Sequence, residues 1–143
     1  LSAADTTING GPAELARFTT TAPGSGVLVV TLEGNALLNY DAANASSVTD
    51  SGSLGLCNAT ATLDAANCGQ TIEVFSQDAD NASGTNATDQ FSITRVIPVP
   101  AGATTLYLNA LEGSPGEFGV EEPPRVTAIW MPDTGTLPLT EGP

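Results

Sequence analysis

The chain predicts an all-β domain, an antiparallel β-sandwich of jelly-roll type with about eight strands and one disulfide. Three observations carry this expectation. Short runs of β-branched and apolar residues recur along the whole length, 15 Gly and 10 Pro punctuate them, and no window of eleven or more residues holds a helical period. Many short strands separated by turns is the pattern of a sandwich, a jelly roll or a closed barrel. With 143 residues, the chain is long enough for one domain with a real core and too short for two.

The strands are expected in this order. Residues 14 to 20 (ELARFTT) open the series, and 26 to 33 (GVLVVTLE), entered from the PGSG turn at 23 to 26, read as a buried central strand. Gly34 and Asn35 suit a tight reversal into a separate strand at 36 to 40, ALLNY. Further strands are expected at 53 to 62, 70 to 76, 91 to 97, 104 to 111 and 125 to 131. In 91 to 97 the residues Phe91, Ile93, Arg95 and Ile97 share one face, so Arg95 interrupts an apolar stripe. In 104 to 111 both faces carry apolar residues, and both are expected to be partly buried. The PVPAGA stretch at 98 to 103 reads as a turn between two antiparallel strands, with Pro98 and Pro100 unable to donate and Gly102 free to take a positive φ.

Both ends differ from the middle. An extended N-terminal segment at 1–12 and an extended C-terminal tail at 133–143 flank the sandwich domain at 13–132. Polar, Gly- and Pro-containing ends fray in a free monomer, and a neighbouring subunit is the expected partner that orders them. MPDTG at 131 to 135 resembles a sortase-type sorting signal, but no apolar span and basic tail follow it, so it reads as a strand end and a turn. No positively charged start leads into an apolar core, so Leu1 is expected to lie near a mature N-terminus.

Composition narrows the role. Three Arg, no Lys and 16 acidic residues give a formal charge of −13, which repels a phosphate backbone, so no nucleic-acid partner is expected. No stretch approaches the roughly 20 apolar residues of a membrane span. Cys57 and Cys68 are the two cysteines, and ten intervening residues make a loop that a disulfide can close. The bridge implies an oxidising compartment, so an extracellular or cell-surface location is expected.

Residues 93 to 132, which contain PAGATTLYL at 100 to 108 and VTAIWMP at 126 to 132, resemble the C-terminal half of small jelly-roll domains of bacterial surface and phage-associated proteins, the C1q and TNF-like class. The resemblance implies a jelly-roll sandwich that self-associates, and it carries no enzymatic residues.

The candidate sites are few. Asn44, Asn58, Asn81 and Asn86 each begin an Asn-Ala-Ser/Thr tripeptide, the acceptor for N-linked glycan, against the simpler reading that small polar residues populate loops. Asp78, Asp80, Asn81, Asn86 and Asp89 place oxygen-bearing side chains within twelve residues, a candidate irregular Ca²⁺ site weighed against a solvated acidic loop. An EF-hand is excluded because Ser83 stands where that loop needs Gly. No cofactor other than Ca²⁺ is implied. The DAxN phrase at 41, 64 and 78 reads as a recurring turn in which Asp and Asn bond their own backbone. Without His or Lys the usual general bases and Schiff-base chemistry are missing, and no enzyme is expected. Paired acids such as Asp78 with Asp80 would be solvent-facing, and Trp130 is the one large sugar-stacking surface. Arg17, Arg95 and Arg125, each in a predicted strand, are expected to be ion-paired with carboxylates, at least one of them across subunits.

Two functions remain. The first is a structural subunit of an extracellular homopolymer, a filament, sheath or surface coat, joined through strand edges and terminal segments, with copies of itself as partners. The second is a secreted carbohydrate- or Ca²⁺-dependent binding module.

Overall fold

The computed structural model describes residues 2–3, 8, 11–40, 49–77, 86–112, 116–120 and 122–133. Among these residues nine strands and one helical turn follow in order: β1 (Ser2–Ala3), β2 (Ala13–Ala22), β3 (Gly26–Tyr40), β4 (Thr49–Cys57), α1 (Ala65–Cys68), β5 (Thr71–Gln77), β6 (Asn86–Val99), β7 (Gly102–Glu112), β8 (Gly116–Val120) and β9 (Arg125–Pro132). Two antiparallel sheets result. One has the order β1-β2-β7-β4-β5, and the other runs β6-β3-β8 with β9 also on β3.

The pairing is nested. β4 pairs with β5, β3 with β6 and β2 with β7, while Ile8 bridges Phe118 of β8. A long antiparallel ribbon rolled up in this way is a jelly roll, with successive pairs falling in alternate sheets. The all-β sandwich of jelly-roll type expected from the sequence is therefore observed.

Alternation builds the core. On β3 the side chains of Leu28, Val30, Leu32 and Ala36 point inward and are buried, as are Phe91, Ile93, Ile97 and Val99 on β6. Leu54 and Leu56 on β4 meet them from the other sheet, with Leu106, Leu108 and Ala110 on β7. Each large aliphatic side chain removed from water contributes about 1.5 to 3 kcal/mol. As expected, the opposite face of β7 is covered too, and Asn109 there is fully buried.

Three expectations need correction. Gly34 and Asn35 make no reversal; β3 runs unbroken through them for 15 residues. Gly34 is needed for its missing side chain, because a Cβ there would lie 2.9 Å from the Phe91 ring and 3.4 Å from Pro124. The strand expected at 53 to 62 spans Thr49–Cys57, since the disulfide-closed loop begins at Asn58. The 98 to 103 stretch does not join two paired strands, because β6 and β7 lie in different sheets and the chain crosses between them here. Gly102 does take a positive φ, 111°, and Pro98 sits on an edge strand, where a missing donor costs nothing.

β8 was not among the expected strands. β8 and β9 run in the same direction along one side of β3, at Ala36–Tyr40 and Gly26–Glu33, so they act as one strand interrupted between Val120 and Arg125. Pro124 in the interruption is buried against Gly34.

Candidate functional site

The most tightly constructed region is the loop closed by Cys57 and Cys68, whose sulfurs are 2.01 Å apart. Cys57 ends β4 and Cys68 ends α1. Asp64 caps α1: its Oδ1 accepts from the Asn67 amide at 2.9 Å, and its Oδ2 accepts from Asn67 Nδ2 at 2.9 Å. These bonds hold the Asp64 carboxyl below the usual carboxylate range, the side-chain bond from Asn67 being the largest cause and its backbone bond the next. The DAAN at 64 to 67 is thus a self-bonded turn, as read from the sequence. The copies at 41 and 78 lie outside the described residues.

The half-buried Arg95 and the buried Asn109 fasten this loop to the sandwich. Arg95 reaches from β6 and donates through Nη1 to the Leu56 carbonyl at 2.7 Å and the Asn67 carbonyl at 2.6 Å. Burial pushes its pKa down. Asn109 Nδ2 donates to the carbonyls of Ala59 and Thr62, both at 2.8 Å. The loop thereby covers part of the outer face of the five-stranded sheet, where Leu63 lies against Gly55.

The arginines divide differently from the expectation. Arg17 pairs with Glu14 at 2.6 Å on the surface, the one ion pair among the described residues. Arg95 has backbone carbonyls as partners in place of a carboxylate, because the stretched end of β4 and the end of α1 present their oxygens to it. Arg125 lies opposite Glu33 in the β3–β9 register but forms no ion pair among the described residues.

The glycan and metal candidates are only partly placed. Asn58 is exposed, directly after β4, with its amide bonded to the Asn67 carbonyl at 3.0 Å and Thr60 of its tripeptide donating to Glu14 at 2.7 Å. Asn86 begins β6, paired with Asn39, so residues 86 to 89 are strand and not loop. Asn44 and Asn81 lie outside the described residues, as do Asp78 and Asp80. Asp89 is exposed on β6 opposite Ala36. Among the described residues no group of three His, Cys, Asp or Glu is placed to hold a metal ion.

Trp130 is half-buried. It packs against the core, and its indole N–H donates to the Gly24 carbonyl at 3.2 Å. A cleft of about 550 Å³ opens instead where β8 and β9 are interrupted, lined by Glu33, Asn35, Gln90, Ser92, Glu122 and Arg125 among others. No family model, curated protein or solved structure matches the chain. Among the described residues no helix is long and apolar enough to cross a membrane.

Strand edges remain as the other recognition feature. β1 covers β2 only at Ala16 and Arg17, so Phe18 to Ala22 have no strand on that side among the described residues. β6, 14 residues long, is the edge of its sheet and pairs with β3 alone among the described residues.

Proposed function

We propose that the protein is a structural subunit of an extracellular homopolymeric assembly, a filament, sheath or surface coat, in which copies join through strand edges and terminal segments. The observation that carries this reading is the half-covered edge of β2. A two-residue strand from the N-terminal segment already adds there, with Ser2 opposite Arg17 and Ala3 opposite Ala16, and the same main-chain bonding is open to a neighbour's segment. Exchanging an identical element between copies needs no new interface chemistry. The disulfide supports an oxidising location, and glycan at the exposed Asn58 belongs to the same reading.

The test is removal of residues 1 to 7, which spares the buried Ile8. The shortened chain should fold but fail to polymerise; polymer of unchanged form would overturn the role given to this segment. The competing reading, a carbohydrate- or Ca²⁺-dependent binding module, is favoured by the polar cleft between β8 and β9. It requires a small particle that binds glycan or responds to Ca²⁺, measurable by calorimetry on the same material.

A further inference from the structure

The outer faces of the two sheets differ. The five-stranded sheet carries the disulfide-closed loop, anchored by Asn109. The face of β6, β3 and β9 carries no such cover among the described residues. The β3 register places Val96, Val29 and Ile129 in one row and Pro98, Val27 and Met131 in the next. Val96 is 63% exposed, Ile129 57% and Met131 45%, and these are the exposed large hydrophobic residues of the described surface. Isolated apolar residues at a surface call for no explanation, but a contiguous patch does.

We propose that this face is an interface between two copies of the chain, packed sheet against sheet about a two-fold axis. Charge selects the partner. The molecule carries −13 overall, yet the outward positions in register along β3, β6 and β9 hold one carboxylate, Glu33, opposite Arg125. Beside the apolar rows stands a row of threonines, Thr94, Thr31 and Thr127, with Thr31 and Thr94 hydroxyls 3.0 Å apart. Two strongly acidic copies can meet here with the apolar and threonine rows at the contact and the carboxylates of Glu33 and Asp133 at its two ends. A basic partner would be drawn to the acid-rich surface elsewhere, and a lipid surface would find here one cation, Arg125, opposed by Glu33, and a tryptophan packed against the core. Two identical patches satisfy the self-complementarity of a two-fold contact, and aligned sheets pack about 10 Å apart with their side chains interdigitated.

The proposal uses a sheet face, whereas the assembly proposed above uses strand edges, so each can fail alone. Sedimentation velocity of the full chain over a concentration series, at low and high NaCl, tests it. Dimer should form and should strengthen with salt, because salt screens the repulsion between two −13 molecules and leaves apolar burial intact. The double variant Val96→Thr/Ile129→Thr keeps β-branched residues at exposed positions and should retain the wild-type melting curve. Its dimer should dissociate about tenfold more readily or worse. A monomer at every concentration, a dimer unaffected by the double variant, a dimer that salt dissolves, or binding of this face to neutral lipid vesicles without dimer would each overturn it. Removal of residues 1 to 7 should leave the dimer intact while abolishing polymer, and dimer loss with polymer retained would reject the face alone.

Discussion

At the scale of single residues, burial decides which of two arginines matters. Arg17 is mostly exposed beside Glu14, and exposed pairs contribute about 0 to 1 kcal/mol. Arg95 donates to two carbonyls from a partly buried site, and bonds to charged groups contribute roughly 1.5 to 3 kcal/mol. Arg95→Met should therefore lower the urea midpoint clearly, by an amount corresponding to roughly 2 kcal/mol, while Arg17→Met scarcely moves it. Equal shifts would contradict this division. Sequence alternation placed Arg95 on the inner face, but its carbonyl partners come from positions 39 and 28 residues away. No local pattern announces such a partner.

Asp64 gives a pH signature. Its carboxyl is held below the ordinary value, so the folded loop favours the anion. The benefit is full above the ordinary carboxylate range and is lost as pH falls through the lowered folded value. Amide protection at Cys68 and Gly69, which bond the carbonyls of Asp64 and Ala65, should then decline below about pH 4. In Asp64→Ala that pH dependence should disappear; protection in the native chain that stays constant to strong acid would contradict the capping role.

At the scale of elements, glycine carries two meanings that sequence alone does not separate. Gly34 beside Asn35 has the composition of a turn, and Gly52 has that of a loop. Both lie inside strands because a ring from elsewhere occupies their side-chain space: Phe91 at Gly34 and Phe118, at 2.6 Å from a built Cβ, at Gly52. Phe118 crosses from the other sheet, so Gly52→Ala should cost about 1 to 3 kcal/mol by overpacking, and Gly52→Ala/Phe118→Leu should recover part of it. Additive losses in a thermal melt series would contradict the contact. β8 escaped notice for a related reason. GEFGV is short and two of its five residues are glycine, although Phe118 and Val120 do alternate inward. Long strands with apolar alternation, such as β3, β6 and β7, were legible in outline because burial alone dictates their pattern.

At the scale of the molecule, strand number and sandwich class were legible from punctuation and alternation. The nested pairing was not, since it depends on which edges meet after the ribbon rolls. The candidate site was legible only in its bridge: Cys57 and Cys68 are joined, whereas the half-covered edge of β2 and the bare apolar face of β3 arise from sheet order. Composition still bears on assembly, because an acidic chain with three arginines must associate through main-chain bonding or neutral surface. Negative-stain electron microscopy of the full chain tests that role most directly. Regular polymers or sheets of stacked small subunits are the expected result; isolated particles no larger than a dimer across concentration and salt would contradict it.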